Sequence, residues 1–384
     1  MRIRAAARLV LGTAVSLGML GMIPATVLAA QPACGDTLTS NTTLTADLDC
    51  SVYAGTALTF GHNRITLNLN GHTVWGFVGA DSYYGIDTNG HNHVVIKNGT
   101  VANDFYDIYI DGSNGTLVKN VETYGEAADT NSSGVASYYG SGNRVEGLNS
   151  HDVYYGYWSE DAAESELLNS TISATTYAVY TEYDSHDLFQ GNTLKNNEYG
   201  FYDDYSGNNR YISNKAKDNT SYGYYFDCDE YGNITLKNNV AMDNGSDGFY
   251  LYYCYNSNGS AGPGSGSVIS GNSSSGNDGY GFFDEYSINS VWTGNTATGN
   301  TDEGFYIEYP GDYTMTGNKA NSNGSDGFYF YDNYSTGYYN LYKFANNKAN
   351  HNDGYGFDAD YGVPGTGNTG RHNSSGNCYN VNCN

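Results

Sequence analysis

The feature that most constrains this chain is a compound repeat that recurs roughly every 22 to 24 residues. Two asparagines stand five residues apart, and three or four residues after the second of them a glycine is followed by an aromatic residue. The asparagine pairs are Asn192/Asn197, Asn214/Asn219, Asn239/Asn244, Asn272/Asn277, Asn295/Asn300, Asn318/Asn323 and Asn347/Asn352. A fixed period of this length indicates stacked units, each of which packs on its neighbours.

The residue types in the repeat favour short strands joined by sharp corners. Asparagine tolerates the left-handed backbone conformation that a corner requires, and stacked asparagines hydrogen-bond to their copies above and below. After the glycine the residues alternate with period two, as in a strand with one buried face. The side chains predicted to point inward are those of Phe249, Leu251, Phe305, Ile307, Phe328 and Phe330. A propeller blade needs about forty residues, so the period predicts an all-β parallel β-helix without α-helices.

The first thirty residues have the composition of a signal peptide. Arginines precede an apolar stretch from Leu9 to Ile23, and small residues allow cleavage after Ala29 or Ala30. The stretch is short for a bilayer span, which argues against the alternative of a membrane anchor. We therefore expect an exported, extracellular or cell-surface protein without membrane insertion.

The rest of the chain, residues 31–384, is predicted to be one β-helix domain. Residues 65–74 and 95–101 look like early coils, and all registers together give roughly twelve coils. Segments 31–60 and 366–384 are predicted to cap the two ends. Disorder is the alternative for so polar a chain, but the 15% aromatic content argues against it.

Several stretches resemble a known group of proteins. Cys34-Gly35, Thr43 to Cys50, Leu67 to Thr73 and Ile96 to Val101 are similar to the N-terminal coils of bacterial β-helix repeat proteins of the pectin-lyase-like superfamily. The resemblance implies a right-handed parallel β-helix. It leaves the function open, because the superfamily contains lyases, glycosidases, epimerases, adhesins and scaffolds. Proteins of this superfamily usually stack aliphatic residues in successive coils, whereas this chain has Phe and Tyr at those positions.

The charge of the chain excludes some partners. The formal net charge is −25, and removal of the three arginines in residues 1–30, a segment without acids, leaves −28. Such a field repels nucleic acid and bare polyanions and favours cations. Nucleic-acid binding is therefore not expected.

Six cysteines fit an oxidising compartment. Proximity in sequence suggests Cys34–Cys50 and Cys378–Cys383, and Cys228 and Cys254 are spaced to bridge neighbouring coils. Fifteen pairings are possible for six cysteines, so the connectivity stays open. No C-x-x-C pair supports metal binding by these residues.

Alignment of the coils on the glycine predicts two outward columns on one sheet. The second residue after the glycine gives an aromatic column: Trp158, Tyr180, Tyr202, Tyr225, Tyr250, Phe283, Tyr306 and Tyr329, ending at Asp358. Two residues further on, a mostly acidic column contains Glu160, Glu182, Asp204, Asp227, Tyr252, Glu285, Glu308, Tyr331 and Asp360. The next position, at a corner of uncertain direction, adds Tyr183, Tyr205, Tyr253, Tyr286, Tyr309 and Tyr361.

An exposed aromatic stripe of this length suggests a binding surface. Sugar rings stack on tyrosine faces and sugar hydroxyls donate to carboxylates, so a polysaccharide is the expected ligand. Two alternatives stay open: the stacked rings stabilise neighbouring coils, or they mediate self-association. Calcium is the one cofactor that the acidic column suggests, although no EF-hand loop or Gly-Gly-x-Gly-x-Asp repeat is present.

Catalysis stays open at this point. Adjacent acids such as Asp203/Asp204 and Asp284/Glu285 could supply the two carboxyls that glycoside hydrolysis needs, but acids are too frequent for a pair to be informative. Most of the lysines and arginines lie away from the acidic column, which weighs against a metal-free lyase. A polysaccharide lyase or glycoside hydrolase, with or without calcium, is the first alternative function, and a structural or adhesive surface protein is the second.

Eight scattered histidines allow three further hypotheses. His91 and His93 have the spacing to share a metal on a strand, and His151-Asp152 or His186-Asp187 could form a general base with its orienting acid. A surface or turn position is the competing interpretation of each histidine.

Overall fold

The protein is described from a computed structural model that covers residues 31–77, 83–125, 132–228, 232–255, 266–331 and 341–383. The predicted signal peptide lies outside these residues. Within them the regular structure consists of β-strands, with no helix. The chain winds as a parallel β-solenoid of about 13 turns, which confirms the predicted fold class.

The first face of the solenoid is a 15-stranded parallel sheet to which each successive coil contributes one strand. In spatial order, which is also chain order, its strands are Asp36–Leu38, Leu58–Phe60, Tyr84–Asp87, Tyr106–Asp111, Ser133–Tyr138, Tyr155–Glu160, Tyr177–Glu182, Tyr199–Asp204, Tyr224–Asp227, Phe249–Tyr252, Phe282–Glu285, Phe305–Glu308, Phe328–Tyr331, Tyr355–Ala359 and Gly376–Cys378. We call this sheet the first sheet.

The second face is a row of mostly three-residue strands that follow the first sheet in each coil. These strands are Thr42–Thr43, Thr66–Asn68, Val95–Ala102, Leu117–Tyr124, Arg144–Glu146, Glu166–Leu168, Leu188–Gln190, Arg210–Ile212, Thr235–Lys237, Val268–Ser270, Val291–Thr293, Tyr313–Thr316, Leu341–Ala345 and Gly365–Thr366.

The third face is a similar row that completes each coil. Val95–Ala102 and Leu117–Tyr124 are long enough to continue from the second face into the third. The remaining strands of the third face are Leu48–Asp49, Thr73–Trp75, Asn149–His151, Thr171–Ser173, Thr193–Lys195, Lys215–Lys217, Val240–Met242, Ser273–Ser275, Thr296–Thr298, Lys319–Asn321, Lys348–Asn350 and Thr369–Arg371.

The interior is filled by side chains that stack on their counterparts in the next coil. Phe249, Phe282, Phe305 and Phe328 are fully buried, and successive rings lie 4.6 to 4.8 Å apart and within 6° of parallel. The six side chains that the period-two alternation predicted to be inside are all completely buried. Burial of one large apolar side chain contributes roughly 1.5 to 3 kcal/mol, and here the contribution recurs in every coil.

The paired asparagines form two ladders, at the corners that follow the second and the third face. In the first ladder Asn272 Nδ2 donates to Asn295 Oδ1 at 3.0 Å, and Asn295 Nδ2 donates to Asn318 Oδ1 at 3.0 Å. Most of these amides also donate to a backbone carbonyl of the preceding coil; for example, Asn295 Nδ2 donates to Ile269 O at 2.8 Å. The predicted stacking is therefore confirmed.

The predicted backbone conformation of these asparagines was wrong. The left-handed residue is the one before each ladder position, such as Gly294 with φ of 66° before Asn295, or Asn196 with φ of 56° before Asn197. This residue turns the chain and allows the following asparagine side chain to lie inside the corner, fully buried.

Three disulfides link the pairs that proximity suggested. Cys34–Cys50 closes the N-terminal coil, Cys228–Cys254 joins neighbouring coils with a Cα–Cα distance of 4.8 Å, and Cys378–Cys383 lies at the C-terminal end. Strands of the first sheet also lie within both predicted cap segments. The disulfides fit an oxidising compartment.

We predict that the asparagine ladder is a main source of stability. Asn295→Ala removes the donors to Asn318 and Ile269 and the acceptor of Asn272 N and Nδ2, and leaves buried polar groups unpaired. The loss of unfolding free energy should be roughly 2 to 4 kcal/mol. Chemical denaturation measures it, with Thr293→Ala on the exposed side of the same coil as the control. Equal denaturation midpoints for the two variants would contradict this role.

Candidate functional site

The predicted aromatic and acidic columns both lie on the outward side of the first sheet. Strand register aligns Trp158 with Tyr180 and continues residue by residue to Tyr329 and Asp358. The acidic column is aligned in the same way, two residues further along each strand. The side chains of both columns are mostly half-buried, while the residues between them point inward. We call this surface the Tyr/acidic face.

The rings of the aromatic column contact each other face to face. Tyr202, Tyr225 and Tyr250 form a stack with centroid distances of 4.5 and 5.0 Å and interplanar angles of 13° and 1°. The stacking ends at both extremes: Trp158 meets Tyr180 at 90°, and Tyr306 meets Tyr329 at 68°. Along the middle of the column the ring faces are occupied by neighbouring rings, so the rims and hydroxyls point towards solvent.

The acidic column lies within reach of these hydroxyls. Tyr180 Oη donates to Glu182 Oε2 at 3.2 Å, and Tyr329 Oη donates to Asp360 Oδ1 at 3.2 Å. Burial raises the pKa of Glu285, and the neighbouring Glu308 carboxylate raises it further. Burial likewise raises the pKa of Glu160, with Glu182 as the second cause. The column thus lines up hydroxyl donors and carboxylate acceptors along successive coils.

A second set of tyrosines on this face was missed in the sequence. These residues precede the aligned glycine, or its Asp or Ala replacement, in several coils: Tyr84, Tyr106, Tyr155, Tyr177, Tyr199, Tyr222, Tyr280 and Tyr355. Tyr177 stacks on Tyr199 at 4.8 Å and 9°, and it meets Tyr180 of the aromatic column edge-on at 5.3 Å. The recurring Tyr-Gly dipeptide was the signal for this second row of rings. We call them the pre-glycine tyrosines.

The corner tyrosines form a third ladder beyond the acidic column. Tyr253, Tyr286 and Tyr309 stack at 4.8 and 4.6 Å, and all three have left-handed backbone with φ between 50° and 58°. Their direction, uncertain from sequence, is thus fixed by the turn that leaves the first sheet. They extend the aromatic surface around the corner.

Basic residues are segregated from this face. No Lys or Arg occurs in the described strands of the first sheet. Lysines and arginines beyond residue 30 lie in or next to strands of the second and third faces: Arg64, Lys97, Lys119, Arg144, Lys195, Arg210, Lys215, Lys217, Lys237, Lys319, Lys343, Lys348 and Arg371. The described strands of the first sheet therefore place no Lys or Arg beside the acids of the Tyr/acidic face.

Two adjacent acid pairs do not act as pairs. Asp203 and Asp284 point into the solenoid, whereas Asp204 and Glu285 point outward, because neighbouring residues of a strand face opposite sides. Neither of these two adjacent pairs therefore presents both of its carboxyls on the Tyr/acidic face. Inside, Asp284 Oδ2 accepts from Tyr313 Oη at 2.5 Å, and Asp203 accepts from Thr181 Oγ1 at 2.7 Å and from the Tyr211 hydroxyl.

These interior acids are shifted towards the neutral form. Burial raises the pKa of Asp284 to about 7, against hydrogen bonds from Ser287 and Tyr313 that lower it. Burial also raises the pKa of Asp104 to about 8. For Asp184, burial and the neighbouring Asp187 carboxylate raise the pKa well above the ordinary range.

The histidine hypotheses have different outcomes. His151 Nδ1 lies 2.7 Å from Asp152 Oδ2, its Nε2 lies 3.5 Å from Glu122 Oε1, and its ring stacks on Tyr124 at 5.3 Å. His186 is exposed while Asp187 is buried, so these two side chains do not pair. His93 has left-handed backbone at a turn, and His91 contacts Asn63 Oδ1 at 3.2 Å.

The described residues contain neither a cluster of metal ligands nor a membrane-spanning helix. No group of three or more His, Cys, Asp or Glu is arranged to hold a metal ion in this part of the chain. No helix there is long and apolar enough to cross a bilayer. The described coils therefore contain no preformed ligand cluster that would support the calcium hypothesis for the acidic column.

The family of the protein follows from its sequence and fold. Residues 53–203, 84–258 and 253–375 match the family model for the right handed beta helix region. The chain belongs to this family. No curated protein sequence matches it.

Solved structures share the architecture at low identity. The periplasmic alginate epimerase AlgG is 13% identical over 84% of this chain and 78% of its own, with a TM-score of 0.49. The A-module of the mannuronan C-5 epimerase AlgE6 of Azotobacter vinelandii is 15% identical over 87% and 90%, with a TM-score of 0.45. The Streptococcus pneumoniae surface protein and adhesin PfbA is 10% identical over 90% and 89%, at 0.41. These proteins are similar to the chain in fold.

We predict that the protein is more stable at mildly acidic pH than at alkaline pH. An aspartate whose pKa is raised by folding holds its proton in the folded state while the unfolded chain loses it, so stability falls as pH rises from about 4 to 7. For Asp284, a shift from 3.8 to about 7 corresponds to at most about 4 kcal/mol. Denaturation midpoints at pH 5 and pH 8 measure the effect.

The matched variants for this prediction are Asp284→Asn and Asp278→Asn. The amide at position 284 still accepts hydrogen bonds but cannot ionise, so this variant should lose part of the fall between pH 5 and pH 8. Asp278 is exposed in a neighbouring coil, and its replacement should leave the fall unchanged. Equal pH dependence in both variants would refute the assignment to the buried carboxyl.

Proposed function

We propose that this protein binds an uncharged extracellular or cell-surface polysaccharide along the Tyr/acidic face. The observation that carries the proposal is the alignment of aromatic rims, tyrosine hydroxyls and carboxylates over successive coils of one sheet without a basic residue. Parallel strands lie about 4.8 Å apart, so the same groups recur at short, regular intervals along the axis. A regular linear polymer is the ligand that such a surface fits.

The mode of binding follows from the ring geometry. Because the central rings stack on each other, a sugar would contact their rims and hydroxyls rather than their faces. Tyr hydroxyls donate and accept hydrogen bonds, and carboxylates accept from sugar hydroxyls. The stacking mode expected from the sequence remains available only where the stack is broken, near Trp158 and near Tyr329.

Charge selects among polysaccharides. An anionic polymer would place its carboxylates beside Glu182, Asp204, Glu285 and Glu308, with no cation on the first sheet to compensate. Like charges at short range repel, and a partly buried carboxylate is more costly still. Uncharged polymers avoid this cost, and their hydroxyls meet the acceptors that the acidic column presents.

The first test keeps the ring stack and removes the hydroxyls. The triple variant Tyr250→Phe, Tyr306→Phe and Tyr329→Phe should fold with a near-normal melting temperature but lose at least tenfold in affinity for the polysaccharide that the wild type retains. Affinity electrophoresis on a panel of neutral polysaccharides measures this loss. Tyr53→Phe, at an exposed tyrosine in the N-terminal loop before Leu58–Phe60 and away from both columns, is the control and should bind normally.

Two outcomes would count against the proposal. Unchanged affinity of the triple variant would remove the aromatic column from the binding site. Absence of retention for every polysaccharide would favour a purely structural role, in which the rings stabilise adjacent coils, as their parallel contacts allow. Concentration-dependent assembly of the wild type without glycan would identify the structural role as adhesive.

Catalysis is tested on the same samples. Released oligosaccharides would make the protein a polysaccharide-cleaving enzyme, and Asp204→Asn and Glu308→Gln would then show which outward carboxyl takes part. A tenfold or greater fall in release with either variant, at unchanged retention, is the result that the enzymatic alternative requires. Retention without release leaves a binding protein.

A further inference from the structure

The C-terminal end of the third face carries a surface of opposite character to the rest of this acidic protein. A shallow open cavity there is lined by Lys348, Asn350, His351, Thr369, Arg371 and His372. Four of these six side chains are cationic or can become so. They come from two consecutive coils, because Lys348 is in register with Thr369 and Asn350 with Arg371.

The strands and corners explain why these side chains converge. Lys348 and Arg371 occupy outward positions of adjacent strands, and both are exposed. The next lysine along the column, Lys319, is in register with Lys348. The two histidines follow their strands at the same corner, and their rings stack at 5.1 Å and 24°. The result is a local concentration of positive charge on a chain of strongly negative net charge.

The histidine corner is specific to the last two coils. At the equivalent left-handed position, the seven preceding coils carry small or short polar residues: Ala174, Asn196, Asp218, Asp243, Gly276, Gly299 and Ser322. His351 and His372 have φ of 58° each, in the left-handed region that glycine favours and in which asparagine, aspartate and histidine are enriched among the other residues. Two ring donors therefore stand where the fold itself needs only a turn.

The positive charges of this cavity are not offset by ion pairs. None of Lys348, His351, Arg371 and His372 forms a salt bridge with a carboxylate in the described coils, whereas Lys119, Arg144 and Lys217 elsewhere on the same faces do. Like charges brought together without a counter-charge repel, and a bound anion removes that cost. Arg371 can hold two oxygens of one group at once, and the lysine supplies a point charge.

We propose that this cavity binds an oxyanion group, a carboxylate, sulfate or phosphate, carried by a ligand on the third face. Arg371 and Lys348 provide the charge, His351 and His372 provide ring N–H donors, and Asn350 and Thr369 provide neutral polar contacts at the edge. The amide of Asn350 is already oriented, since its Nδ2 donates to Asn321 Oδ1 at 3.1 Å. The site is independent of the Tyr/acidic face, which lies on a different sheet and repels the same group.

The experiment is a calorimetric titration of the mature protein at low ionic strength with three separate probes: inorganic sulfate, inorganic phosphate and sodium glucuronate. The wild type should bind at least one probe with a stoichiometry of one. The double variant Lys348→Ala, Arg371→Ala should lose at least tenfold in affinity. The double variant His351→Asn, His372→Asn, which keeps a residue type suited to the left-handed corner, should lose affinity with an unchanged melting temperature.

A matched control carries the same change of charge. Lys195→Ala, Lys215→Ala removes two lysines from earlier coils of the third face and should bind like the wild type. Binding of glucuronate supports a carboxylate-bearing ligand, and binding of sulfate or phosphate alone supports a tetrahedral group. No binding of any probe by the wild type, or the same loss in the control as in Lys348→Ala, Arg371→Ala, would overturn the proposal.

Discussion

The structure depends on hydrogen bonds that run between coils rather than within them. Most ladder asparagines use the side-chain amide to bind the next asparagine and the backbone of the preceding coil, as Asn295 does with Asn318 and Ile269. These contacts use the same residue type at the same place in each coil from Asn192 to Asn368. The corners are thereby held in register, and the strands between them have to stack residue on residue.

Strict stacking determines what the surface looks like. Any residue type that recurs in the repeat becomes a column with a spacing of about 4.8 Å, whether it is Phe inside or Tyr and Glu outside. For aromatic residues this spacing is favourable, because rings stack well at that distance. For acids it is costly, which is consistent with the raised pKa of Glu160 and Glu285 beside their neighbours.

Much of the fold and of the outward columns could be predicted from the sequence, because both follow from its periodicity. The alternation after each glycine correctly separated Phe249 inside from Tyr250 outside. Sequence proximity and coil spacing suggested the three disulfides that form, although the connectivity was left open. The sequence analysis missed one row of tyrosines, because the coils were aligned only on the glycine and the residues that follow it. The pre-glycine tyrosines lie just before the glycine on which the coils were aligned.

Other predictions failed at acidic residues that occupy buried positions. Asp203 and Asp284 occupy inward positions, and hydrogen bonds from neighbouring side chains, among them Tyr211 and Tyr313, make their burial tolerable. The period-two pattern of the first sheet does not predict such partners, since Tyr211 and Tyr313 come from the second face. The contact between His351 and His372 on the third face was not predicted either. It depends on which residues of successive coils lie next to each other.

The central functional claim is that the aromatic and acidic columns together form the contact surface for a polysaccharide. Tyrosine nitration followed by peptide mass spectrometry, with and without the retained polysaccharide, tests it most directly. We predict that the polysaccharide protects Tyr202, Tyr225, Tyr250 and Tyr306, while Tyr53, exposed in the N-terminal loop, reacts equally in both samples. Protection confined to tyrosines outside the first sheet, or equal reaction of all tyrosines despite retention, would contradict it.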